Sequence, residues 1–283
     1  SEIALAPGTF IRRKGRDFRA GETHLLAGTR LSPGAIALAG AMDHAMIPVF
    51  RRPRIAILAT GDELVEPGEP IPEGTIVATN SFAIAAISRA AGADILDLGI
   101  ARDTMASLKS AFDRARAWPA DCLVTIGGAS VGKHDLVRHH AQAEGAALDF
   151  YRIAMRPGKP LNFGALGDML ILGLPGNPVS SLVCASLFLA PLIATLQGER
   201  AAAADRSEPA ILGRDLPAND EREDYLRATL TRDVAGQLVA IPADDQDSSL
   251  LAIHSRATAL LIRAPHAPAA RAGEPVRIIR LPT

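Results

Sequence analysis

The chain has 283 residues, and 30 Lys and Arg against 31 Asp and Glu leave a formal charge of −1. That balance excludes a nucleic-acid binder held by bulk charge, which needs a basic excess to displace phosphate counterions. Only 4% of residues are aromatic, too few for single-strand stacking platforms, and 48% hydrophobic with 22% charged residues excludes a disordered or fibrous chain.

The N-terminal Ser1-Glu2-Ile3-Ala4 lacks the charged and apolar regions of a secretory signal. Up to residue 50, Gly8, Gly15, Gly21 and Gly28 punctuate short segments, and Ser32-Pro33 offers an N-cap followed by Pro at the first helical position. Short strands and one helix are predicted here, an α/β stub over 1–50 without a complete core. Residues 51–200 change to alternating strands and helices. The pattern predicts strands over 55–59, 94–98 and 122–126, and helices over 80–91, 105–117 and 135–144, with Asn80-Ser81 capping the first helix. The runs 161–165 and 169–174 flank Leu166-Gly167-Asp168 as a hairpin antiparallel to the main sheet, and Asn177-Pro178 starts a long helix to Leu196. This predicts an α/β fold with a three-layer αβα domain.

The apolar run 179–196 is interrupted by Ser180, Ser181, Ser186, Pro191 and Thr195 and reads as a buried helix, so no membrane span is expected. Cys122 and Cys184 lie in apolar segments far from any CxxC spacing, which argues against zinc and disulfides and for a reduced, cytoplasmic setting. After a low-complexity linker at 201–205, strands are predicted over 225–230, 237–241, 259–262 and 275–279. They imply a small C-terminal β-barrel domain over 206–283.

Ligands of open α/β sheets bind beyond the carboxyl ends of the strands, and unusual residues collect there. Thr60-Gly61-Asp62-Glu63-Leu64 presents adjacent carboxylates suited to a hard cation or to a water, with a solvated turn as the plain alternative. Gly127-Gly128-Ala129-Ser130-Val131-Gly132-Lys133-His134-Asp135 lets backbone amides approach a phosphate, although Asp135 could cap the same amides. Arg156-Pro157-Gly158-Lys159-Pro160 places two cations on a tight turn, and Leu174-Pro175-Gly176-Asn177-Pro178-Val179-Ser180 opens a helix. Each alone is ordinary punctuation; together they point to an anionic, phosphorylated ligand with a divalent metal. His139 and His140, adjacent on a helix, face different directions and cannot share a metal, and no GxSxG elbow is present.

In this order and spacing the four strings resemble the molybdopterin molybdenumtransferase family, which includes the gephyrin E domain. Asp224-Tyr225-Leu226-Arg227-Ala228 and Gln246-Asp247-Ser248-Ser249 resemble that family's C-terminal signatures. The resemblance implies a transferase of molybdenum cofactor biosynthesis that inserts molybdate into adenylylated molybdopterin and releases AMP with Mg²⁺ or a similar cation. It assigns Glu63 and Asp135 to catalysis and to the metal. Substrate would be bound by Thr60, Gly61, Asp62, Asn80, Gly127, Gly128, Ser130, Gly132, Pro175, Gly176 and Asn177. Molybdate would be held by Arg156, Lys159, Ser180, Arg227 and Ser249. Lys133 and His134 stand where the family commonly has an acidic residue, and Arg156 replaces a more usual Lys. The family's long N-terminal region is represented only by its end, which implies an N-terminally truncated chain, weak or inactive in turnover. A homodimer with a shared cleft is also implied, with molybdopterin adenylyltransferase and recipient molybdoenzymes as partners. Two alternatives are a molybdopterin adenylyltransferase, which has no need of residues 1–50 or the β-rich tail, and a non-catalytic gephyrin-like scaffold.

Overall fold

The computed structural model describes residues 6–128, 136–150 and 152–281. In chain order the elements are α1 (Pro33–Ala41), β1 (Arg54–Thr60), β2 (Leu64–Val65), β3 (Ile76–Val77), α2 (Asn80–Ala90), β4 (Asp94–Ala101), α3 (Met105–Ala117), β5 (Cys122–Ile126), α4 (Leu136–Ala143), β6 (Ala147–Phe150), β7 (Met155–Arg156), β8 (Asn162–Leu166) and β9 (Met169–Leu174). There follow α5 (Pro178–Cys184), a π-helical turn (Ala185–Leu189), α6 (Ala190–Leu196), β10 (Glu208–Leu212), β11 (Glu223–Arg232), β12 (Leu238–Pro242), α7 (Leu251–His254), β13 (Ala259–Arg263) and β14 (Pro275–Arg280).

The first sheet runs β4-β1-β5-β9-β8-β6, with β4, β1, β5 and β9 parallel and β8 antiparallel to β9. Only one limb of the predicted hairpin therefore opposes the main sheet. Side chains of a strand alternate between faces, and β1 buries both. Ile55 and Ile57 pack with Ile84 of α2 and Val179, Val183 and Leu189 of the long helix, whereas Ala56 and Leu58 pack with Leu108 and Phe112 of α3 and Val137 of α4. Each of these large side chains fully removed from water contributes roughly 1.5–3 kcal/mol. The three layers follow directly from that double burial.

The long apolar stretch Pro178–Leu196 is long and apolar enough to cross a membrane by length and composition, yet Val179, Val183, Leu189 and Ile193 are fully buried in the core. It is interrupted as well. Pro191 has no N–H to give the carbonyl four residues back, and the amide of Ala190 instead reaches Ala185 O, five residues back. Ser186 O, in this wider turn, accepts from Arg206 Nη2 at 2.8 Å, which anchors the linker to the second domain.

That domain is a barrel. Strands pair in the order β12-β10-β14-β13-β11, and β12 also pairs β11, closing the ring around Ala210, Leu212, Ala228, Leu261 and Ile278. β10 and α7 escaped the sequence reading. So did β7, which leaves the first domain's chain and pairs in parallel with β11, Arg156 opposite Asp224. The Glu223 amide adds a bond to Ala154 O at 3.0 Å. The two domains thus share a strand junction.

The expected strands before residue 50 are not found among the described residues. Ser32 Oγ caps α1 through the Ala35 amide as predicted, but the rest is turns closed by bonds such as Ile11 N to Gly8 O. Within 6–50 only Ala39 is buried. A strand needs a partner edge, and none reaches this segment.

Candidate functional site at the carboxyl ends of the parallel strands

β1, β5 and β9 end side by side, and each runs into a glycine turn. At the first, Gly61 has φ +147°, and the Glu63 carboxylate folds back so closely that a Cβ on Gly61 would lie 2.6 Å from it. At the second, Gly127 and Gly128 both adopt positive φ, +86° and +66°. A Cβ on Gly127 would meet Thr60 O at 2.8 Å, and the buried Thr60 hydroxyl donates to Ile126 O at 3.4 Å. The third turn joins them. Gly127 N donates to Leu174 O at 3.1 Å, and a Cβ on Gly176 would stand 3.6 Å from Gly127 Cα. Two successive left-handed glycines let the backbone of this turn press against the third where no side chain would fit, and the Gly127 amide is spent on Leu174 O. Ala129 to Asp135, and with them the expected Ser130, Gly132 and Asp135, lie outside the described residues.

Two asparagines predicted as helix caps have other partners. Asn80 is the first residue of α2 rather than its cap, and its Nδ2 donates to Gly176 O at 2.8 Å, bracing the third turn. Its Oδ1 is buried without a hydrogen-bond partner among the described residues. Asn177 sits at the N-cap of α5, but its side chain makes no capping bond; Nδ2 donates to Ser248 Oγ of the barrel at 3.0 Å. Pro178 has no N–H, and the Val179 amide donates to Ser248 O at 3.1 Å. The start of α5 is therefore covered by a barrel loop. Pro175 is buried just before it.

Asp62, expected to touch substrate, is exposed; its carboxylate accepts from the Asp103 amide at 3.1 Å and its carbonyl accepts from Arg102 Nη1 at 2.9 Å, so it also ties β1 to the turn before α3. Burial, then the charges of Asp62 and Glu63, push the Asp103 carboxyl above its usual range. Glu63 itself is exposed, folded back against the Gly61 turn.

The five expected molybdate residues have different surroundings. Arg156 is half-exposed and committed to the barrel: its guanidinium donates to Asp220 at 2.9 Å, to Asn219 at 3.2 Å and to Asp224. Arg227 is 1% exposed. Its Nε donates to Gln246 Oε1 at 3.0 Å, Nη1 to Asp247 O at 2.7 Å and Nη2 to Asp245 O at 3.2 Å. Both guanidinium groups, implied by the resemblance as molybdate ligands, are engaged by protein acceptors. Ser180 is buried in the first turn of α5, and the Ser249 hydroxyl donates to Asp247 at 2.6 Å. Lys159 is exposed, with no hydrogen bond or ion pair from its ammonium among the described residues. Its neighbour Gly158, at φ +118°, lies so close to Cys184 that a Cβ would be 2.5 Å from the sulfur, which seats this loop along α5. Cys184 and Cys122 are buried free thiols, both pushed up to about 12 by burial. They are unreactive.

The Arg156 junction sets an acid limit. Hydrogen bonds from the Arg222 side chain and amide, with the charge of Arg156, hold the Asp220 carboxyl down at about 2. A carboxyl depressed in the folded state stabilises it above the ordinary carboxylate pKa and loses that contribution as pH falls through the folded value. In acid titration followed by circular dichroism, stability is expected to fall between about pH 4 and 2, and Asp220→Asn should flatten the dependence in that window. An unchanged profile in the variant would remove Asp220 as the cause.

These features coincide with known proteins. A family model described as the probable molybdopterin binding domain matches residues 56–195, and one described as the MoeA C-terminal region (domain IV) matches residues 209–281. The molybdopterin molybdenumtransferase of Haemophilus influenzae is 33% identical over 272 residues, 96% of this chain and 67% of that protein. That of Bacillus subtilis is 34% identical over 259 residues, 90% of this chain and 59% of the relative. A crystal structure of the molybdopterin biosynthesis MoeA protein from a Pyrococcus species superposes with a TM-score of 0.76 at 26% identity, covering 91% of this chain and 61% of that one. The chain thus spans about three fifths to two thirds of the length of these proteins. With a 33% identical relative aligned along nearly its whole length and matches to both domain models, the chain belongs to the molybdopterin molybdenumtransferase family.

Proposed function

We propose that the three joined turns bind adenylylated molybdopterin and that the chain takes part in inserting molybdate into the pterin's dithiolene with release of AMP, a step of molybdenum cofactor biosynthesis. The observation that carries this is the contact of the Gly61, Gly127 and Gly176 turns at the ends of β1, β5 and β9, with Glu63 at their rim. The side-chain-free glycines of the Gly127 turn would let the phosphates approach the backbone closely. Glu63 would accept a proton from a water attacking the phosphoanhydride, AMP being the leaving group. Asp135 keeps its assigned role from the motif alone. Lys159 is the available cation for the molybdate dianion, with Ser180 and Ser249 as hydroxyl donors; Arg156 and Arg227 would act mainly by holding the surrounding loops.

A divalent cation of the magnesium kind is part of this reading, although no group of three or more His, Cys, Asp or Glu side chains that could hold a metal ion is found among the described residues. The donors are all hard oxygens, and Asp62, Glu63 and Asp103 repel one another enough to contribute to the raised Asp103 pKa. Glu63 with Asp135 would hold it, and bound there it would neutralise phosphate charge. A cytoplasmic setting accords with the free thiols. The exposed Phe10, Ile11, Met46 and Phe50 support assembly as a homodimer, with the adenylyltransferase that makes the substrate and molybdoenzymes that take the product as further partners.

Titration calorimetry with molybdate and with AMP tests the reading. Both should bind the chain, and Lys159→Ala should weaken molybdate about tenfold or more, the cost of one charge-assisted contact, while sparing AMP. Molybdate binding unaltered in that variant would sink the assignment.

A further inference from the structure

Gln246 lies outside every role assigned above, yet its carboxamide is fully used. Its Oε1 accepts from the Arg227 amide at 2.9 Å and from Arg227 Nε at 3.0 Å, while Nε2 donates to Arg227 O at 3.0 Å and Ala243 O at 3.1 Å. A carboxamide has two lone pairs and two N–H groups, so all four are satisfied. The two flanking carbonyls, Asp245 O and Asp247 O, accept from the same guanidinium. The loop is thereby locked to β11 from the inside. Its next residue, Ser248, is the one that meets the αβα domain, through Val179 N and Asn177 Nδ2.

We propose that Gln246 is a positioning residue for the cleft: by clamping Arg227 it presents Ser248 to the start of α5 and so fixes the Gly176–Asn177 turn. This rests on the reading that the cleft takes molybdate and adenylylated molybdopterin, and it makes the barrel part of the site rather than an appendage. The route is short. Gln246 holds Arg227 and the loop, Ser248 holds Asn177 and Val179, and Gly176 stands against Gly127 while Asn80 grips its carbonyl. An oxygen in place of Nε2 would face the carbonyls of Arg227 and Ala243, leaving acceptors opposed.

The test uses the full chain in three variants: Gln246→Glu, Gln246→Ala and the milder Ser248→Ala. Amide hydrogen exchange reads the Val179 N–H, and the amides shared by β11 and β13 serve as an internal reference. Both Gln246 variants should speed exchange at Val179 about tenfold or more while the β11–β13 amides stay protected. In turnover, KM for molybdate should rise about tenfold with kcat changed less, as when a group orienting a ligand-binding residue is lost. Ser248→Ala, which keeps the carbonyl bond to Val179, should give a smaller change in the same direction. Unchanged Val179 exchange in both Gln246 variants overturns the proposal. So does acceleration of Val179 and the β11–β13 amides together, which would make Gln246 only a barrel stabiliser. Failure of the unaltered chain to take molybdate would count against the proposed function instead, and the exchange measurement would still decide the role of Gln246.

Discussion

Arg227→Ala should lower the stability of the chain by about 3–5 kcal/mol, read as the shift of a denaturant midpoint. The side chain is 1% exposed and fills a place in the barrel wall between β11 and the 245–247 loop. Truncation would leave Asp245 O and Asp247 O without this donor and Gln246 Oε1 with the Arg227 amide alone. An unsatisfied buried acceptor costs about 1–3 kcal/mol, and partial hydration of an exposed loop keeps the sum at the lower end. Removing the charge returns some of its own desolvation cost, which is why the total stays below the sum of two acceptors and a cavity. Arg227→Lys should recover only part of the loss, because one ammonium cannot span three divergent acceptors as a planar guanidinium does. The alternative has a different signature. A guanidinium serving chiefly as an open molybdate ligand would leave stability within about 0.5 kcal/mol on truncation, as surface changes do, and abolish molybdate binding alone.

The contrast between Arg227 and Lys159 also shows where sequence reasoning ran out. Each cation was recognised from a short string, but a string does not show the partner of a charge. Asp220 lies 64 positions from Arg156, and the carbonyls that consume Arg227 lie 18 and 20 positions away. The same limit misread Asn80 as a cap and, for Asn177, which does stand at the N-cap of α5, missed the partner of the side chain. Each stands at a helix start, where local preference predicts a cap, and each turns sideways to another segment because the packed domain offers a better acceptor there. Local signals were enough where local physics decides. The apolar run of β1, buried on both faces, gave the parallel sheet; the helix expected over 105–117 is α3, which Thr104 caps through the Ser107 amide; glycine-containing strings marked the turns of the site. β7 was invisible, since two residues have no period, and its pairing with β11 depends on a strand nearly 70 positions later.

Gly127→Ala should be the most damaging single substitution at the site, because two separate costs coincide. At φ +86° an alanine is strained by about 1–3 kcal/mol. Its Cβ would also lie 2.8 Å from Thr60 O, a backbone atom at the end of the central strand that has no rotamer to escape into. The turn must move instead, and it carries Gly127 N away from Leu174 O and its amides away from the proposed phosphate position. AMP affinity should fall about a hundredfold, the scale on which a misplacement near 1 Å acts. Two companions separate the contributions. Gly145 has φ +92° with nothing within 4 Å of a built Cβ, so Gly145→Ala measures strain alone and should leave AMP binding unchanged. Gly128→Ala, at φ +66°, would press on Val137 Cγ2 at 2.7 Å and Thr60 Oγ1 at 3.1 Å, both side-chain ends that can turn. It should fall between the other two. Should Gly127→Ala bind AMP as tightly as the unaltered chain while losing the expected stability, the phosphates do not lie against this turn. The Gly61 rim would then be the place to look for them.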